Sequence, residues 1–423
     1  MATEKKRNVD YNTLKVIMKH LDPNVRIHIS RRIPTLRNLD KIVPLKPEKV
    51  ILGKYTTEID DTTYKVGIFR QFNHQFPFYE SVSNQNMTGG VQLNLDQWGL
   101  HPNLMPEREL QHNMWMNSWS LGVFTSWFGF DVDRCNEPKA ASLGDPYILD
   151  HQRKMQDISL LQHLYICRRN QIPPPFSMKI MVTISRPSGT ERFYYPYDRT
   201  LEEAMDEVNM KIFGVRRTPQ VDHLTLDSFN LDQKPDFKFL VKNLKFTDYV
   251  ARNKRQAFIH LCQKFIHKGN FPLDFLQIDC DFHAIEDLAQ VKTARKIHID
   301  RIENDLSWFD NLSNMSNSVV HVAKNANILT PEDCILVYEK WMRDGRSIGT
   351  CHTYGLRDEQ CALEILEIVR VRINEEKIED RWSITVPVNS TSCIHISIHI
   401  DYTVWAYRFI LRMEIVPIPW DFS

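Results

Sequence analysis

Between Val221 and Val322 one short apolar pattern returns five times. Val221-x-x-Leu224-x-Leu226 is followed by Val241-x-x-Leu244-x-Phe246, Leu273-x-x-Leu276-x-Ile278 and Ala294-x-x-Ile297-x-Ile299, and a weaker copy ends in Val320-x-Val322. Alternation within each copy places two large apolar side chains on one side of a short strand. The last positions lie 20, 32, 21 and 23 residues apart, enough for one strand and one return segment per copy. Units of this kind stack on their neighbours, so the strands form one parallel sheet.

Most of these intervals fall in the span of roughly 20–29 residues of leucine-rich repeats. The Asn or Cys that the standard repeat carries is replaced here by Phe229, Tyr249, Asp281 and Ile302. The array is therefore leucine-rich-repeat-like, and the expected fold class is α/β (or α+β). Its long interval holds an amphipathic helix with Phe258, Leu261, Cys262 and Phe265, ending near Gly269.

Four segments are expected around this array. Residues 1–46 read as a helical head: Leu14, Ile17 and Leu21 share a helix face, Asp22-Pro23 ends that helix, and Pro34 breaks the chain again. Residues 47–175 begin with apolar Val50-Ile51-Leu52, a turn at Asp60-Asp61 and an alternating strand from Thr62 to Phe69. A long loop with Gly89-Gly90 and the tryptophans Trp98, Trp115, Trp119 and Trp127 follows, then a helix over 154–168 closed by Pro173-Pro174-Pro175. The body, 176–345, opens with a hairpin around Pro187-Ser188-Gly189. The capping box Thr200-x-x-Glu203 then starts a helix through Phe213. Thr330-Pro331 starts another helix that runs past Trp341 to Gly345. Residues 346–423 hold a helix near Asp358–Ile373 and a strand pair, Ile394–Ile400 with Val404–Val416.

Motifs for chemistry are sparse. The chain has no phosphate-binding glycine loop, nucleophile elbow, dinucleotide fingerprint or H-E-x-x-H. His395 and His399 alternate with isoleucines on a strand, where four residues span about 13 Å, too far to share one metal. Cys280-x-x-His283 has no second half of matching spacing. The expectation is no catalytic, metal or cofactor site. The aromatic segment 98–130 carries only Arg108 among basic residues, short of the positive groove that nucleic-acid binding needs. No apolar run approaches the roughly 18 residues of a membrane span. Eight cysteines without a C-x-x-C pair and a polar start from Met1 to Asp10 point to reduced thiols in the cytoplasm or nucleus.

Charge is balanced overall, with 53 basic and 53 acidic residues, but unevenly distributed. Residues 1–54 carry 13 basic and 5 acidic side chains, a surplus of eight. Such a head suits an acidic protein, a phosphate backbone or an anionic membrane, and the plain alternative is a solvated basic face on a small helical head.

The head, Leu14-x-x-Ile17-x-x-x-Leu21-Asp22-Pro23 followed by Ile27, resembles an F-box, although Val9-Asp10 replaces the usual Leu-Pro start. The resemblance implies docking to the small adaptor subunit of a cullin-RING ubiquitin ligase through residues 10–35. Leu14, Ile17, Leu21, Pro23 and Ile27 would fill the groove of that acidic subunit. The longer chain is similar to a nematode-expanded family of uncharacterised F-box-associated proteins. Four stretches carry the likeness: Arg26-Ile27-His28-Ile29-Ser30-Arg31-Arg32-x-Pro34-x-Leu36-Arg37; Gly89-Gly90-Val91 with Asp96-Gln97-Trp98-Gly99; Glu203-Ala204-Met205 through Ile212-Phe213-Gly214; and Leu329-Thr330-x-Glu332-Asp333-Cys334 with Trp341 and Ile348-Gly349. The resemblance implies a protein-binding adaptor with an unknown protein target on its body. A head that has lost docking, and a metal-free hydrolase using Asp and His, are the alternatives. A Leu14, Ile17 and Ile27 patch at the surface would favour docking, and the same patch packed inside would favour a lost head.

Overall fold

The computed structural model describes residues 10–73, 79–102, 146–214, 216–227, 237–247, 254–279, 288–300, 315–323, 330–356, 358–373, 380–400 and 409–418. The chain divides into two units, Met1–Asp61 with Val208–Ser423, and Thr62–Glu207.

The first unit starts with three helices, α1 (Tyr11–His20), α2 (Pro23–Arg32) and α3 (Pro34–Ile42). Asp22-Pro23 ends α1 as expected and also begins α2: the Asp22 carboxylate accepts the amides of Asn24 and Val25, both at 2.9 Å. Pro34 likewise ends α2 and opens α3, where its missing amide is no loss. Strands β1 (Lys49–Leu52) and β2 (Thr56–Ile59) follow.

The second unit holds β3 (Thr62–Phe72), α4 (Glu80–Met87), α5 (Pro146–Asn170), β4 (Phe176–Arg186) and β5 (Gly189–Pro196). The three strands pair antiparallel, β4 in the middle. Two glycines shape the described residues that follow α4. Gly89 and Gly90 take φ of 110° and 83°, which lets Val91 bridge Ile68 on β3. Val82, Leu100, Leu160, Leu164 and Phe176 form one core cluster of this unit. Trp98 packs under the Arg168 guanidinium, 5.8 Å from its ring centre. Trp115, Trp119 and Trp127 lie outside the described residues. Pro173-Pro174-Pro175 separates α5 from β4 within this one unit. The Thr200–Glu203 capping box is present, with Thr200 N–H to Glu203 Oε2 at 2.9 Å and Glu203 N–H to Thr200 Oγ1 at 3.2 Å. It starts α6 (Leu201–Asn209), which continues as a π turn over Met210–Gly214.

The chain then builds the large sheet of the first unit with β6 (Gln220–Asp227), β7 (Leu240–Thr247), α7 (Lys254–Phe265), β8 (Phe275–Asp279), α8 (Ala289–Thr293), β9 (Lys296–Ile299), β10 (Val319–Val322), α9 (Pro331–Asp344), β11 (Cys351–Leu356), α10 (Glu359–Ile373), β12 (Ser383–Pro387), β13 (Ser392–Ile400) and β14 (Phe409–Pro417). Their order with β1 and β2 is β12-β13-β14-β11-β10-β9-β8-β7-β6-β1-β2. Neighbours from β1 and β6 through to β11 pair parallel, and both margins are antiparallel. The sheet is thus mixed.

The five sequence copies stand in register. Leu224, Leu244, Leu276, Ile297 and Val320 are direct neighbours across five strands, and so are Leu226, Phe246, Ile278, Ile299 and Val322. Val50 and Leu52 of β1 extend the two rows on one side, and His352 and Tyr354 of β11 on the other. All of these side chains are buried. Helices cover this face: Phe258 of α7 meets Phe246 edge-on at 5.4 Å, and Trp341 of α9 meets His352 at 4.8 Å. The positions that the repeat sequence lacked, Phe229, Tyr249, Asp281 and Ile302, lie outside the described residues. Among the described residues no helix is long and apolar enough to cross a membrane.

Candidate functional site

The head was the place where sequence put its docking residues. Met18, Leu39 and Val43 form its small core, and Leu14 and Leu21 pack half-buried against it. Pro23 sits half-buried in the first turn of α2. Ile17 is 46% exposed, whereas Ile27 is 1% exposed and belongs to the interior. The five residues therefore do not form one surface. Ile27 on α2 faces inward because α2 is tied to the sheet beside it: Asn24 Nδ2 donates to the Ile59 carbonyl of β2 at 2.9 Å. What the head does expose is Tyr11, Val16, Ile17, Val25, Ile33 and Ile42.

A buried charge cluster fixes the head in place. Asp40 on α3 is gripped from two sides, by Arg26 Nε at 2.5 Å and by an Arg216 terminal nitrogen at 2.5 Å. Arg26 also donates to the carbonyls of Asp40, Val43 and Pro44, and Arg216 to those of Lys211 and Ile212. Burial pulls the Arg26 guanidinium below its ordinary pKa, and the Asp40 carboxylate opposes that shift. Arg26 opens the basic stretch that carried the family likeness, so this arginine is structural.

The second candidate was not singled out in the sequence. It is the face of the large sheet opposite the apolar rows. Thr225, Lys245, Gln277, His298, His321, Thr353, Arg412 and Ser397 are consecutive neighbours across eight strands there. The first seven are half-exposed. Strand alternation forces this arrangement: once Ile297 and Ile299 face the core, His298 between them faces the other way. Side chains link along the row. Asp300 accepts from His298 Nε2 and from Gln277 Nε2, each at 2.7 Å. Burial raises the Asp300 pKa, but the hydrogen bonds from His298 and Gln277 outweigh it and hold the carboxyl below its usual range. The His298 and His321 rings lie 4.5 Å apart, and His321 Nδ1 meets Thr353 Oγ1 at 2.5 Å. Further along, Glu414 pairs with Arg412 at 2.6 Å, and His395 Nδ1 meets Thr385 Oγ1 at 3.0 Å.

This face presents hydrogen-bond donors and acceptors at the spacing of neighbouring strands, about 4.8 Å. The two imidazoles meet through their rings, tilted by 40°. Among the described residues no group of three or more His, Cys, Asp or Glu converges on a metal position. His399 bonds to Ser397 Oγ at 2.9 Å, separately from the His395 contact. His352 on β11 is wholly buried, and burial pulls its pKa down to about 3. The Cys280–His283 pair lies outside the described residues.

A family model described as a domain of unknown function (DUF3557) matches residues 200–358. The matched stretch runs from the capping box of α6 through β11, and so contains the parallel rows and Trp341. Helices α1 to α3 precede it. No curated protein matches the chain, and no solved structure matches it.

Proposed function

We propose that the chain is a protein-interaction module, with the head docking to the small adaptor subunit of a cullin-RING ubiquitin ligase and the polar sheet face receiving a protein target. Such an assembly operates in the cytoplasm or nucleus. The observation that carries the reading is the apolar side chains that the head leaves in solvent, with Val16 at 58% and Ile17 at 46% exposure, in a segment that is strongly basic. Exposed apolar residues rimmed by charge are the usual marks of a protein contact. The docking set is revised to Ile17 with its exposed neighbours, and Ile27 is left out. The half-exposed polar rows supply the hydrogen-bonding surface that stacked-strand proteins use for recognition.

The buried Arg26–Asp40–Arg216 cluster favours a second reading, in which the head is a structural cap on the sheet and takes no partner. Co-expression of the chain with the adaptor subunit separates the two. Wild type is expected to co-purify with the subunit, and a Val16→Asp, Ile17→Asp variant, both changes at exposed positions, is expected to fold but not to co-purify. Failure of the wild type to co-purify would leave the cap reading.

A further inference from the structure

The outermost strand of the second unit, β5, has an open edge. It pairs with β4 on one side only, in unbroken register from Arg186↔Gly189 to Lys179↔Pro196. Among the described residues no backbone bond is made along its other side. Phe193, Tyr194 and Tyr195 are all exposed. Natural sheets blunt such edges with bulges, prolines or charges. Here there is no bulge, the one proline stands last, and after the oppositely charged Glu191 and Arg192 come three aromatics in a row.

The hairpin tells which amides face outward. Arg186 and Gly189 flank a two-residue turn, so they form a pair that exchanges both backbone bonds. Bonded and non-bonded pairs then alternate along the ladder. Glu191, Phe193 and Tyr195 thus spend their backbone groups on β4. Thr190, Arg192 and Tyr194 turn theirs to the open edge. Thr190 and Ser185 fit this assignment, since their hydroxyls meet across a non-bonded pair.

We infer that β5 pairs antiparallel with β5 of a second copy of this chain, about a two-fold axis through Phe193. The strand is complementary to itself in this register. Phe193 stacks on the partner's Phe193 in a non-bonded pair, where side chains approach most closely. Arg192, whose guanidinium donates to the Met87 carbonyl at 2.8 Å, comes opposite the partner's Tyr194, whose ring rests edge-on against Phe69, and the two exchange both backbone bonds. Glu191 comes opposite the partner's Tyr195, a phenol able to donate to the carboxylate. A slip of two residues one way sets Arg192 against the partner's Arg192, and like charges directly opposite repel. A slip of two the other way pairs only the stretch from Arg192 to Pro196. A slip of one residue puts facing side chains on opposite faces of the sheet. The contact is isologous and closes at two copies.

The test is the solution mass of the full chain by light scattering and sedimentation. Wild type is expected at twice the 49.9 kDa chain mass. Arg192→Pro removes an outward amide and leaves β4 pairing intact, so it is expected to give a folded monomer. In a second arm, Phe193→Cys is expected to form a disulfide-linked dimer under dissolved oxygen, because only residue 193 faces its own copy, while Tyr195→Cys stays unlinked. Wild type that remains monomeric at the highest soluble concentration overturns the proposal. So does a wild-type dimer that persists in Arg192→Pro, or one in which Phe193→Cys does not link.

Discussion

Replacing Asp40 by Asn keeps the shape of the side chain and removes the one negative charge between two buried guanidiniums. The side chains of Arg26, Asp40 and Arg216 are 2%, 4% and 3% exposed. Solvent therefore screens little of the effect. Removing one member of a buried ion pair costs about 3–5 kcal/mol, because the remaining charge stays buried without compensation. Arg26 keeps its carbonyl partners at Pro44, Asp40 and Val43, which places the expectation near the lower end, about 3 kcal/mol. At about 2–4 °C per kcal/mol for a large domain, the melting midpoint falls by about 6–12 °C. Denaturant titration gives the free energy, and hydrogen exchange shows where it is lost. Exchange is expected to accelerate over residues 11–42 before the strand rows. Replacing the whole cluster, as Arg26→Met, Asp40→Leu and Arg216→Met together, is expected to restore most of the loss, as apolar substitutes for buried ion groups do. A change under about 0.5 kcal/mol in Asp40→Asn, the size of an exposed pair, would refute a buried, uncompensated cluster.

Stability should depend on His352. Its folded pKa lies near 3 and its unfolded pKa near 6.5, so only the unfolded chain binds the proton between these values. The contribution is complete above pH 6.5 and is lost as pH falls, by about 1.4 kcal/mol per pH unit inside the window. Denaturation at pH 7 and pH 5 should show that slope in wild type and a shallower one in His352→Leu. Gly67→Ala should destabilise the second unit by about 1–3 kcal/mol, since a Cβ there meets the Gly89 carbonyl, and a thermal melt reads it. Burial pushes the Cys262 thiol up to about 12, so iodoacetamide at pH 8 should label half-exposed Cys351 and Cys361 in the native protein and spare Cys262 until unfolding, as peptide mapping would report.

The parts of the fold that could be read in the sequence are those governed by local rules. Five apolar copies became five neighbouring strands because each carried its own alternation and spacing. The caps at Thr200, Thr330 and Gly345 worked because a helix end satisfies its amides or turns its chain within a few residues. Strands β2, β11 and β12 were missed. Their residues take their place from neighbours distant in sequence, as when Cys351–Leu356 completes the parallel rows and then meets β14. Ile27 was misjudged for the same reason. Its helix face is decided by Asn24 reaching β2 and by Arg216 reaching Asp40. The polar row left one trace in the sequence, the residue between the paired apolar positions of each copy: Thr225, Lys245, Gln277, His298 and His321 stand there. That trace acquires meaning only when register brings those five side chains together.

The reading of the chain as a docking protein is tested most directly by calorimetric titration of the purified chain with the purified adaptor subunit. Saturable one-to-one binding is expected for wild type and its loss in folded Ile17→Asp. An absence of heat and of complex with wild type at micromolar concentration would contradict it.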